Sequence, residues 1–253
     1  MQTQIYSKIN LLRLASYLFN FGMIAGLATV TLGLISCGGG GGGAAGSSTA
    51  SGSGPTITSI TPYGIVASAV PKALSILGTN FTSGMNLTIA SSSGVPYTIT
   101  ASSVTSSTVL AVSAVIAAAP IDNYVIFSVQ KSSGTPATAV LGVAITNKTL
   151  ATDIQPIFAA NCQSCHGGNG GLTLNSTTNS ANYLIFATSL GCSSKFRVTP
   201  GDPRRASSVL IDKLKVTPTG INACNGNLPM PMTGTLTAQE IQDIVDWVAG
   251  GAN

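Results

Sequence analysis

The sequence predicts two folded regions of different class, an all-β sandwich over residues 55–147 and an all-α domain over residues 148–253. Three observations carry this division. Short runs rich in β-branched residues, broken by turn residues about every ten positions, fill the first region. The second region carries a pair of T-x-x-E/Q signals, each standing before apolar residues at helical spacing. Residues 1–54 belong to neither class, being an apolar run followed by a Gly/Ser-rich one.

The 253 residues suffice for about two domains. Only 7% of them are charged, and Ser, Thr, Ala and Gly take the remaining places. The formal charge is +4, with Lys8 and Arg13 in the N-terminal stretch and the other basic residues scattered. No interleaving of aromatic and basic residues occurs, so nothing points to nucleic acid.

Residues 1–36 have the layout of an export signal: Lys8 and Arg13 make a positive start, and an apolar run from Leu14 to Ile35 follows. The run ends Leu34-Ile35-Ser36-Cys37, which resembles the bacterial lipobox. That resemblance implies removal of residues 1–36, acylation of Cys37, and a lipid-anchored protein of the bacterial cell envelope, on the periplasmic face or the outer membrane. Residues 37–54, with six consecutive glycines from Gly38 to Gly43, cannot bury a core and read as a flexible tether. The reach of such a tether is roughly 20–25 Å.

Within 55–147 the expected strands are 56–60, 73–77, 87–89, 97–100, 109–112, 124–129 and 140–143, with Pro62-Tyr63-Gly64 as a turn. This number of short strands suggests a sandwich. Pro55-Thr56-Ile57-Thr58-Ser59-Ile60-Thr61-Pro62 and Leu77-Gly78-Thr79-Asn80-Phe81 resemble the IPT/TIG family of immunoglobulin-like domains. The resemblance implies a spacer or a binding module without catalytic residues.

Cys162-Gln163-Ser164-Cys165-His166 is the C-x-x-C-H pattern of covalent haem attachment. Two thiols add to the porphyrin vinyl groups, and the adjacent imidazole supplies one axial iron ligand. A zinc site would need a second close ligand pair, whereas Cys192 and Cys224 stand apart. In an exported chain these two pair most naturally as a disulfide. Such a bridge would close a loop of about 33 residues and add about 3–4 kcal/mol.

Thr152-Asp153-Ile154-Gln155 is expected to cap a first helix, with Ile154, Ile157, Phe158 and Asn161 on one face leading into Cys162. A middle helix is expected over 203–213, with Val209, Leu210 and Leu214 inward. Thr237-Ala238-Gln239-Glu240 is a second capping box, with Leu236 and Ile241 placed for a hydrophobic staple. Ile241, Ile244, Val245 and Val248 then form a stripe, and Gly250-Gly251 ends the helix. The terminal helix should cross the first near Phe158 and Trp247.

Ile157-Phe158 through Cys162-x-x-Cys165-His166-Gly167, then Gly170-Gly171-Leu172-x-Leu174, resembles the opening of small bacterial monohaem cytochrome c domains. Val198-x-Pro200-Gly201-Asp202-Pro203, Met230-Pro231 and Leu236-Thr237-x-x-Glu240-Ile241 to Trp247 continue the likeness. It implies an all-α cytochrome c fold, one haem c, His/Met iron and electron transfer. His166 is the chain's one histidine. Of the five methionines Met1 and Met23 lie in the leader and Met85 in the β region, which leaves Met230 and Met232. Register with the family implies Met230 as the sixth ligand, with Met232 its alternative. Two protein ligands on the iron favour electron transfer over catalysis, since peroxide chemistry needs an open position. Arg197, Arg204, Arg205, Lys213 and Lys215 are candidates for haem propionates or an acidic partner rim.

The function expected is therefore a membrane-anchored carrier of single electrons between redox proteins of the envelope, not an enzyme. The alternative is a surface adhesion or binding lipoprotein whose β module is the working element and whose haem is accessory or sensory.

Overall fold

The computed structural model describes residues 54–168, 171–214 and 229–253, with 193 and 194 as backbone alone. The β-branched runs form β1 (Thr56–Thr61), β3 (Ser68–Thr79), β4 (Asn86–Ser91), β5 (Thr98–Ser106), β6 (Val109–Ile116), β7 (Tyr124–Gln130) and β8 (Ala137–Ala144). The turn expected at 62–64 leads directly into a further strand, β2 (Gly64–Val66). β2 is too short to show a period of two, and its pairing with β8 is parallel, so no local signal marks it.

Two four-stranded sheets result, in the orders β1-β3-β6-β5 and β2-β8-β7-β4. Register places Leu74 opposite Val112 and Ile76 opposite Leu110 in one sheet. In the other it places Ile89 opposite Phe127 and Val125 opposite Leu141. Every second residue of β6 and β7 is buried, as expected of strands with one inward face. Ile76, Ile89, Leu110, Val125, Phe127 and Leu141 meet between the sheets. Full burial of each such side chain contributes about 1.5–3 kcal/mol.

The C-terminal region is less helical than expected. A π-helical turn, Leu150–Ile154, runs into α1 (Gln155–Asn161), followed by α2 (Thr177–Leu184), a hairpin of β9 (Thr188–Ser189) and β10 (Cys192–Phe196), α3 (Val209–Lys213) and α4 (Ala238–Ala249). The all-α expectation is thus corrected by a two-stranded sheet and long stretches of turn. Ser and Thr hydroxyls bind local backbone there and compete with helix. The Ser208 hydroxyl donates to the Asp202 carbonyl at 2.8 Å and accepts from the Thr199 N–H at 3.0 Å. That locked turn shortens the helix expected over 203–213 to α3. Val209, Ile211 and Leu214 are buried there, with Leu210 only partly covered.

The first cap also differs from expectation. Thr149, not Thr152, is the N-cap, accepting from the Thr152 N–H, while the Asp153 carboxylate accepts from the Thr149 N–H at 2.8 Å. With the turn starting at Leu150, the Thr149 hydroxyl takes the Thr152 N–H that Gln155 was expected to serve. Gln155 points instead to Leu174 and Ser180. The second capping box forms as read, with Thr237 and Glu240 bonded reciprocally. Phe158 and Trp247 meet edge to face, centroids 6.4 Å apart, at the crossing of α1 and α4. Around them pack Ile154, Leu184, Val198, Ile244 and Val248.

All described residues fall within one compact unit. The β-sandwich and the helical region are joined along α4. Gly64 and Gly142 lie opposite each other on β2 and β8, and a Cβ on either would run into the Ala249 carbonyl. The two glycines therefore let the C-terminal end of α4 rest on the sheet backbone. One turn earlier, buried Asp246 accepts from the N–H groups of Ile145 and Thr146 at 3.0 and 2.9 Å. It also accepts from the Thr146 hydroxyl at 2.8 Å, from Asn123 Nδ2 at 3.2 Å and from Gln242 Nε2 at 2.9 Å. Tyr63 from the sandwich packs edge to face on Phe186, and the Arg204 guanidinium lies 5.8 Å from the centre of the Tyr124 ring. Among the described residues no helix is long and apolar enough to cross a membrane.

Candidate functional site

α1 carries the C-x-x-C-H motif on its C-terminal end. The Cys162 N–H still donates to the Phe158 carbonyl, at 2.9 Å. The chain then closes on itself: the N–H groups of Cys165 and His166 both donate to the Cys162 carbonyl, at 3.2 and 2.9 Å. Two thiols and one imidazole thus leave a single turn of chain.

The loop after the turn is held by side chains. The Leu174 N–H donates to the His166 carbonyl at 2.7 Å. Gln155 Nε2 donates to the Leu174 carbonyl at 2.8 Å, and its Oε1 accepts from the Ser180 hydroxyl at 2.7 Å. Gln155 therefore stitches α1 to this loop and to α2. Arg197 braces the far side, donating to the carbonyls of Tyr183 and Gly171 at 2.8 and 2.9 Å. The sequence pattern assigns Gln155 a capping role and Arg197 a propionate or partner role, and the structure gives both a bracing one. Bracing leaves no local pattern, because the carbonyls they reach are 14 to 26 residues away.

The electrostatics at Cys162 disfavour a thiolate. Burial above all, then Cys165 and Glu240, pushes the Cys162 thiol up to about 11. Reactive C-x-x-C pairs have the opposite shift, toward thiolate. Both Cys162 and Cys165 are free thiols. Burial first, and the Arg197 charge second, lowers the proton affinity of His166. The shift favours the neutral imidazole, the form a metal ion requires.

His166 Nδ1 is buried and has no hydrogen-bond partner. Buried polar atoms in folded proteins are almost always satisfied, so an exception calls for a cause. Together with two free thiols on the same turn, it fits a haem c that those residues would hold.

Met230 lies in an open apolar pocket with Leu214, Pro231, Leu236 and Ile241, its N–H donating to the Lys213 carbonyl at 2.8 Å. The staple residues Leu236 and Ile241 thus meet at this pocket. Met232 is 63% exposed. Asn161 Nδ2 donates to Glu240 Oε1 at 3.3 Å, which ties the residue before Cys162 to the first turn of α4. Ile241, the next residue of α4, lines the Met230 pocket. One helical turn therefore borders both the C-x-x-C-H turn and the methionine.

The remaining candidates are placed as follows. Arg204 is paired with Asp202 at 2.6 Å and faces Tyr124, so it serves the joint between sandwich and helices. Arg205 and Lys213 have partners of their own. Cys192 is disulfide-bonded and buried. Cys37, Lys215, Cys224 and Gly170, with Met1 and Met23, lie outside the described residues.

Comparison with known proteins bears on the same region. No curated protein matches the chain. Among solved structures, the crystal structure of the Lin-41 filamin domain matches at 11% identity over 36% of this chain and 93% of that one. Its TM-score is 0.28. Residues 149–248 match the family model described as cytochrome c oxidase, cbb3-type, subunit III. With the attachment turn, the free thiols and the unsatisfied imidazole inside those bounds, residues 149–248 are identified as a cytochrome c domain.

Proposed function

We propose that this chain is an exported, lipid-anchored carrier of single electrons, with one haem c joined through Cys162 and Cys165. His166 and Met230 would hold the iron, with Met232 as the alternative to Met230. The observation that carries this reading is the buried, unpartnered Nδ1 of His166 on the same turn as two free thiols. When bound, a haem supplies a one-electron couple, and His/Met ligation sets it at a higher potential than two histidines would. The chain does the rest. Cys162 and Cys165 fix position, Arg197 and Gln155 hold the loop around His166, and Leu214, Leu236 and Ile241 give the methionine side an apolar lining.

The wider proposal places a lipid on Cys37 after removal of residues 1–36. Residues 37–54 act as a tether, 55–147 as an IPT/TIG-like support, 148–253 as the electron-carrying domain, and Cys192 pairs with Cys224. Its partners are redox proteins of the bacterial envelope. The family match is to a subunit of a respiratory oxidase, which favours partners of that kind. Filling of both axial positions by protein argues against an enzymatic haem.

The test is the visible spectrum of the matured full chain. We expect the reduced α-band of a c-type haem, colour that survives acid–acetone extraction, and the weak near-infrared band of methionine-bound ferric iron. Met230→Ala should abolish that band and Met232→Ala should spare it. A colourless protein, or one that gives up its colour to acid–acetone, overturns the reading. The reverse result for the two methionines transfers the ligand role to Met232.

A further inference from the structure

Helix α4 is held at its two ends by different regions of the chain. Its first turn carries Glu240, which takes the hydrogen bond from Asn161 beside Cys162, and Ile241, which lines the Met230 pocket. Its last turns rest on the sandwich: Ala249 on the backbone of Gly64 and Gly142, and Asp246 under donors from Asn123, Ile145 and Thr146. Twelve residues of helix span only about 18 Å, and a helix that short moves as a rod. A shift at the sheet end therefore reaches the pocket end.

We propose that the β-sandwich is the outer support of the haem crevice, and that Asp246, Gly64 and Gly142 are positioning residues acting on the methionine side through α4. This rests on the haem reading above and gives the β module a role within it. An electron carrier works fastest when its ligands hardly move between oxidation states. Here the ligand loop precedes a helix whose far end is locked by a carboxylate with four donors from outside that helix. Asp246 could satisfy its charge with solvent on an exposed helix face. Its burial at 1% exposure against sandwich backbone shows that the joint is built, not incidental.

The experiment uses the haem-loaded full chain and three variants. Asp246→Ala removes the acceptor, Gly142→Ala wedges a methyl under Ala249, and Ile76→Val loosens the sandwich core away from the joint. The readouts are the pH midpoint at which the ferric protein loses its near-infrared methionine band, and the reduction potential. Both joint variants should weaken methionine retention about tenfold, moving the midpoint about one pH unit lower. Ile76→Val should leave it in place while lowering the melting temperature. If Asp246→Ala does not fold, Asp246→Asn and Gly142→Ala carry the same expectation. Joint variants that melt earlier yet keep the parental midpoint and potential overturn the proposal, as does an equal shift in Ile76→Val. A colourless parent chain refutes the haem reading itself, an outcome distinct from both.

Discussion

Phe158 and Trp247 show what single residues do here. Both are fully buried, and their rings meet edge to face where α1 crosses α4. Phe158→Ala is expected to cost about 3–5 kcal/mol, some of it from the lost ring pair, measured by denaturant unfolding. This contact was legible because each aromatic sits beside an apolar stripe of helical period. Asp246 was not. An aspartate on an amphipathic helix reads as a solvated residue, and its donors outside the helix lie 100 to 123 positions back in the chain. The motif alone marks His166 as a candidate ligand. The starved Nδ1 came only with three-dimensional packing.

At the scale of elements, caps were readable where one side chain alone could serve. Thr237 and Glu240 close the start of α4 as the pattern implies, whereas Thr149 and Asp153 displace Thr152 and Gln155 at the first helix. Thr237→Ala should cost about 1 kcal/mol. The Thr237 backbone N–H, and then its hydroxyl, hold the Glu240 carboxyl below its ordinary value. The Thr149 backbone N–H does the same for Asp153, followed by the Thr152 hydroxyl. Because both carboxyls are depressed in the folded state, the stability they add is whole above the ordinary carboxylate range. It is lost as pH falls through the folded values. The gap in melting temperature between the parent and Glu240→Gln should be full at neutral pH and close below about pH 4. Strand positions were legible from alternation, with the exception of β2, whose three residues pair only with a strand near the far end of the sandwich. Helix content falls short of expectation over 203–208, where the Ser208 hydroxyl closes a turn that no periodicity announces.

For the whole molecule, the two folded regions and their separate cores were foreseeable from composition and period, but their joint was not. It is made of glycines, a buried carboxylate and backbone donors, none of which forms a sequence pattern. The disulfide at Cys192 belongs to this scale too. If its partner is Cys224, adding reductant should lower stability by about 3–4 kcal/mol, seen as an earlier melting transition. Cys224→Ser should melt where the reduced parent does and be indifferent to reductant.

Trp247, the chain's single tryptophan, is wholly enclosed and donates its indole N–H to the Asn253 carbonyl at 3.1 Å. Ultraviolet emission excited at the indole therefore comes from one address, the place where α4 meets α1. A porphyrin docked on the neighbouring turn would drain that light by energy transfer. The fluorescence of a haem-loaded sample should stay dark until the helices separate, which makes its brightening a site-specific clock for unfolding.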